Sequence, residues 1–205
     1  MTHNDPKALY LSQLRDKDTG PAAFRKAAHQ LTHLLAYEAL SHLDTKSYTI
    51  ETPFDRTAGI QISYPITLVP ILRSGLSMLP VFLNYFPSAS VGVLGLQRDK
   101  KTAETLQYYC NMPPLTPEHR VIILDPMIAT GNTARTAFDI LLKQVPIEHI
   151  LFVGIISAAQ GINTIKKAHP KAQLIVAGQD AHLNDQHFIV PGLGDFGDRY
   201  FGTVE

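Results

Sequence analysis

The chain has 205 residues, and 18 Lys and Arg balance 18 Asp and Glu, so its formal charge at neutral pH is zero. That balance excludes the basic field with which a nucleic-acid binder displaces counterions, and no apolar run approaches the length of a membrane span. One cysteine, Cys110, leaves no intrachain disulfide, and Met1-Thr-His-Asn-Asp-Pro lacks a signal peptide's basic-then-apolar layout, so the reading is a soluble, cytoplasmic chain with one domain over residues 1–205.

In chain order, Phe24, Ala27, Ala28, Leu31, Leu34 and Leu35 follow helical spacing, which predicts an amphipathic helix from Pro21 to about Leu43. His29 and His33 lie one turn apart on it; with no third ligand placed nearby, they read as surface or helix-packing residues. Tyr48 to Ser63 reads as a hairpin or arm broken at Pro53 and Gly59. Four apolar runs then alternate with helical patterns. Ile66 to Leu72 is a strand followed by a helix over Gly75 to Tyr85. Ser90 to Leu96 is a strand followed by a long polar excursion. Val121 to Leu124 leads into a helix at Thr133, and Ile150 to Ser157 leads into Gly161 to Ala168. Gln173 to Ala177 adds a last strand. Such alternation predicts an α/β fold, a parallel twisted sheet flanked by helices. Ligands of such sheets sit at the carboxyl ends of strands, where Arg73, Arg98 and Asp125 all fall.

The stretch Val121-Ile-Ile-Leu-Asp125-Pro-Met-Ile-Ala-Thr130-Gly-Asn-Thr133 carries the most chemistry. A short buried strand ends in one carboxylate, and a loop of small and hydroxylated residues opens a helix. Helix N-termini present unpaired N–H groups and positive dipole charge, which makes an anion site. Asp125 cannot serve the anion, but it can accept hydrogen bonds from a sugar diol attached to that anion. Two better-known phosphate loops are excluded. The Walker pattern needs Lys where Asn132 stands, and the match Gly192-Leu-Gly194-Asp-Phe-Gly197 to a dinucleotide fingerprint lies too near the C-terminus for a second half to follow. That turn is too glycine-rich for a helix or a plain strand. Its exposed backbone groups can meet a flat base edge-on.

Read with Val69-Pro-Ile-Leu-Arg73-Ser-Gly75-Leu, Arg98-Asp99, Tyr108-Tyr109 and Ile189-Val-Pro-Gly-Leu-Gly194-Asp195-Phe-Gly-Asp198-Arg199, the loop resembles the uracil phosphoribosyltransferases. Weaker similarity covers Arg15-Asp-Lys-Asp-Thr19, Tyr37-Glu38-Ala39, Asp180 and Leu183-Asn184. The resemblance implies a type I phosphoribosyltransferase fold with an N-terminal helix, a hairpin arm and a flexible lid loop within Asp99 to Pro114. It implies conversion of uracil and 5-phosphoribosyl 1-diphosphate to UMP and diphosphate in pyrimidine salvage. The donor would meet Arg73, Arg98, Asp125, Pro126, Met127, Ile128, Ala129, Thr130, Gly131, Asn132, Thr133 and Asp195. Uracil would be read by the backbone at Ile189, Gly194 and Phe196, next to Asp195. Arg98 and Asp195 would be the catalytic residues, the first at the diphosphate and the second near the N1 proton or the ring charge.

Magnesium is implied, held mainly by substrate oxygens and water, with no protein metal site. A homodimer or larger homo-oligomer is also implied, while control by GTP, seen in some members, is left open. Gly75 would let the backbone approach an anion. The chain departs from the family at Asn132, where a second glycine is usual, at Lys100 and Lys101 in the lid, and at Phe188, a frequent Tyr. A purine enzyme would carry two adjacent acids before the loop, whereas Pro126 follows Asp125. An RNA-binding regulator would need a basic face.

Overall fold

The computed structural model describes residues 5–98 and 105–203. The chain begins with α1 (Pro6–Arg15) and α2 (Pro21–Leu40), and a hairpin follows, β1 (Thr45–Glu51) against β2 (Arg56–Ile62). Next come β3 (Ile66–Leu72), a 3-10 turn at Ser74–Ser77 and α3 (Leu79–Tyr85). The middle of the chain supplies β4 (Ser90–Val91), β5 (Val93–Arg98), β6 (Thr105–Asn111), β7 (Arg120–Leu124), β8 (Met127–Ile128) and α4 (Asn132–Leu141). The last part holds β9 (Ile150–Ala158), α5 (Ala159–Ala168), β10 (Gln173–Asp180), β11 (His182–Leu183), β12 (Ile189–Val190) and α6 (Phe196–Phe201).

The main sheet runs β10-β9-β7-β3-β5-β6. Its first five strands are parallel, and only β6 is antiparallel, along the edge of β5. Side chains alternate between two cores, as a strand's period of two demands. Ile122 and Leu124 face the core built with α1, α2, α3 and α6, while Val121 and Ile123 face the one built with α4 and α5. Both faces are covered, which is why these strands read as continuous apolar runs. Each fully buried Phe or Leu in these cores contributes about 1.5–3 kcal/mol against exposure.

Several boundaries differ from the sequence reading. The helix expected over Gly75 to Tyr85 is a 3-10 turn followed by a short helix that starts only at Leu79, with Pro80 in its first turn. The strand expected over Ser90 to Leu96 is split in two around Gly92. Gly59 breaks nothing. It lies inside β2 opposite Tyr48, whose ring would meet a Cβ there at 3.1 Å. The polar excursion after β5 is in large part strand β6; the lid expectation at residues 99–104, with Lys100 and Lys101, lies outside the described residues. His33 packs against Tyr85 of α3, with ring centroids 5.8 Å apart, so it serves helix packing.

The strand order has a functional consequence. From β3 the chain moves outward to β5 and then returns to the other side of β3 as β7. The β3/β7 boundary is therefore the topological switch point, where the loops leaving the two carboxyl ends diverge and open a crevice.

Candidate active site

The two loops at that switch point belong to Arg73–Gly75 and Asp125–Gly131. They touch directly. A Cβ built at Gly75 would lie 2.2 Å from the carbonyl oxygen of Leu124. Gly75 is thus required by its approach to the neighbouring strand end, a reason the sequence reading did not give. Beside it, the Ser74 hydroxyl donates to Asp125 Oδ1 at 3.2 Å. Asp125 is buried, and desolvation pushes its carboxyl up to about 7, partly offset by hydrogen bonds from Ser74 and the Met127 backbone. In its ionised form a desolvated carboxylate at a strand end is a strong acceptor for a hydroxyl that enters.

Beyond Asp125 the loop is partly strand. Met127 and Ile128 pair with Ile156 and Ser157 of β9, and the Ile128 side chain is in the core. The open part of the loop runs from Ala129 to Thr133. Gly131 precedes α4 with φ +82, and no side chain caps the helix. The Thr130 hydroxyl is 3.5 Å from the Asn132 N–H, at the limit of a hydrogen bond. The first turn of α4 borders a cavity of about 120 Å³, lined by Met127–Gly131, Thr133 and Ala134. That is a nest of phosphate size at a positive helix end. Asn132 does not line it. The left-handed position is Gly131, so Asn132 needs no special backbone conformation.

On the other side of the crevice, Arg73 reaches the C-terminal segment. Its guanidinium donates to Asp198 Oδ1 at 3.1 Å and Thr203 Oγ1 at 3.4 Å, and it stands over the Phe201 ring at 5.2 Å. Asp195 caps α6 by accepting from the Asp198 N–H at 2.9 Å. A Cβ at Gly197 would lie 3.3 Å from Asp195 Oδ1 and 3.7 Å from Arg73 Nη2. Arg73 and Asp195 therefore flank one glycine. The expected turn without helix holds only to Asp195, since Phe196 already begins α6.

The base-reading candidates divide by side chain and backbone. Ile189 and Phe196 bury their side chains, the latter edge-on to Phe24 at 5.3 Å, while Gly194 is exposed with φ +80. At Ile189, Gly194 and Phe196 the polar groups are those of the backbone, with the exposed Asp195 side chain beside them. Arg98 closes β5, paired with Thr105; its side chain lies outside the described residues, so Arg98 cannot be placed against the others.

Five residues not given roles from sequence support the site. Ser74 bonds Asp125, and Asp198 holds Arg73. Arg15 forms an ion pair with Asp180 behind the glycine turn. Arg199 joins the carbonyls of Leu14, Asp16 and Leu193. All five lay inside the blocks that carry the resemblance, which was the available signal. Among the described residues, no three His, Cys, Asp or Glu side chains converge as a metal site.

A family model described as uracil phosphoribosyltransferase matches residues 3–203. A uracil phosphoribosyltransferase from Mycoplasma genitalium is 43% identical over 193 residues, 94% of this chain and 93% of that protein. The structure of the AQ2163 protein from Aquifex aeolicus superposes with a TM-score of 0.87 at 34% identity, covering 98% of this chain and 96% of that one. A hypoxanthine phosphoribosyltransferase from Trypanosoma cruzi, complexed with the product IMP, gives a TM-score of 0.54 at 10% identity, covering 78% of this chain and 76% of that one. The last likeness concerns the fold alone.

Proposed function

The chain belongs to the uracil phosphoribosyltransferase family of pentosyltransferases, and we propose that its switch-point crevice transfers the phosphoribosyl group of 5-phosphoribosyl 1-diphosphate to uracil, giving UMP and diphosphate. The observation that carries this reading is Asp125, a buried carboxylate bonded to Ser74 and set beside a phosphate-sized nest at the start of α4. A carboxylate for the ribose diol beside a nest for its 5-phosphate fits a phosphoribosyl donor and no other common ligand so well.

In this reading the N–H groups of Ala129–Thr133 and the α4 dipole hold the 5-phosphate. Asp125 accepts from the ribose hydroxyls and orients the ring. Arg73 exchanges Asp198 for the diphosphate, whose charge grows as the bond to the anomeric carbon breaks, and Arg98 is assigned to the same group. A guanidinium fork suits phosphate oxygens in both states. Uracil presents its edge to the backbone at Ile189, Gly194 and Phe196, and N1 forms the new bond to the anomeric carbon. Asp195 stands beside the reacting groups, though its Oδ1 also caps α6. Magnesium would arrive with the diphosphate and neutralise charge on the leaving group; the single strand-end carboxylate fits an ion carried by substrate oxygens. A cytoplasmic location and assembly as a homodimer or larger homo-oligomer belong to the same reading.

The test supplies uracil, cytosine, hypoxanthine or orotate with the diphosphate donor and magnesium, and follows nucleotide and diphosphate release. Uracil and cytosine exchange donor and acceptor at two edge positions, each worth ~1–3 kcal/mol when buried and mismatched, so uracil is preferred at least about tenfold. Equal turnover of cytosine or hypoxanthine would sink the reading.

A further inference from the structure

We propose that Arg15 and Asp180 are positioning residues for base recognition: together they hold the Pro191–Gly194 turn in the register that presents its backbone to uracil. This rests on the base-reading assignment above. Arg15 comes from the end of α1 and Asp180 from the end of β10, far apart in sequence. Their contact is a parallel fork, Arg15 Nη1 to Asp180 Oδ2 at 2.8 Å and Nη2 to Oδ1 at 2.7 Å. Both partners then bond the same glycine. Arg15 Nη1 donates to the Gly192 carbonyl at 2.8 Å, and the Gly192 N–H donates to Asp180 Oδ2 at 2.9 Å. One ion pair thus occupies both polar groups of Gly192.

Gly192 is a point where the turn's direction is decided. Its φ is +63, and a Cβ there would lie 2.1 Å from the Ile189 carbonyl oxygen. Two residues later Gly194 is exposed at φ +80, without a side chain to anchor it. Its orientation depends on what holds the turn upstream. Arg199 holds the adjoining Leu193 carbonyl at 2.7 Å and the Asp16 carbonyl at 2.6 Å, which binds the residues flanking Arg15 to the same turn. Asp180 is only 7% exposed. Burial alone would raise its carboxyl, but the hydrogen bonds from Arg15 and Gly192 outweigh that and leave it lowered, so the pair stays ionised at neutral pH. A buried pair of this kind adds little net stability, because desolvation offsets its attraction. Its directional hydrogen bonds select one conformation, which is what backbone readout of a base requires.

The experiment compares Arg15→Lys, Arg15→Ala and Asp180→Asn with the unaltered chain. A control, Arg120→Ala, removes a different ion pair and ring contact, with Asp44 and Tyr64, at the amino end of β7. KM for uracil, KM for the diphosphate donor, kcat and the uracil-to-cytosine ratio are measured with melting temperature. Expected is a rise in uracil KM of about tenfold or more, the energy of one charged hydrogen bond, with a reduced uracil-to-cytosine ratio and donor KM within about twofold. Arg15→Lys keeps the charge but not the fork, so it should share most of the loss. Arg120→Ala should lower melting temperature without moving uracil KM. Unchanged uracil KM in Arg15→Lys and Asp180→Asn overturns the proposal. So does a parallel decline of uracil and donor constants, which general loosening of the fold would give. An unaltered chain that forms no UMP overturns the functional reading itself, and the proposal with it.

Discussion

The Ser74 hydroxyl donates to Asp125 Oδ1 at 3.2 Å, and this contact joins the loops leaving β3 and β7 across the switch point of the sheet. It links the residue next to the diphosphate arginine with the carboxylate assigned to the ribose.

Asp125→Asn separates function from stability. The carboxyl sits at about 7 in the folded chain, above the ordinary aspartate value. A raised acid stabilises the fold only while protonated, and that contribution is lost as pH rises from the unfolded value, about 4, through about 7. The Asn variant has no such loss. Its melting temperature relative to the unaltered chain should therefore climb between about pH 4 and pH 7, while KM for the donor worsens by about 1.5–3 kcal/mol equivalent. Thermal melts across pH check the first part, and a pH-independent gap would refute the burial argument.

Arg73→Ala should show the opposite balance. Its partner Asp198 is 41% exposed at the side chain and Arg73 itself 54%, so the pair contributes at most about 1 kcal/mol to the fold. Turnover should fall far more than melting temperature, because the diphosphate gains charge only as it leaves. A large melting loss with intact kcat would mark Arg73 as a structural staple of α6.

Gly131→Ala should damage both stability and donor binding. The residue needs φ +82, which costs an L-residue about 1–2 kcal/mol, and the added Cβ would lie 2.4 Å from the Gly161 carbonyl oxygen. The loop must shift away from α5, and the nest shifts with it. Melting and donor KM measured on one preparation should worsen together; an unchanged donor KM would remove the nest from the phosphate site.

Asn132→Gly should leave kcat and donor KM within about threefold, since Asn132 does not line the nest. Stability should fall slightly, by about 0.5–1 kcal/mol, because glycine loses more freedom on entering a helix. A tenfold loss of activity, about 1.4 kcal/mol in the barrier, would show that the Asn side chain meets the donor.

What the sequence determined by itself was local and periodic. Branched apolar runs at Ile66–Leu72, Val121–Leu124 and Ile150–Ser157 read as strands buried on both faces, and their alternation with helical patterns predicted a parallel α/β sheet. Asp125, the small-residue loop and the glycine turn were visible because each depends on residue type at adjacent positions. Tertiary structure decided the rest. No local pattern shows that Gly75 meets the Leu124 carbonyl, that β6 completes the sheet edge, or that Arg15 closes on Asp180. These contacts join segments distant in the chain, and their partners follow from strand order and packing. The sequence names the groups that can hold a phosphate, a ribose and a base. The crossing of the chain at β3 and β7 brings the loop of Arg73 and Ser74 against the loop of Asp125 at one crevice.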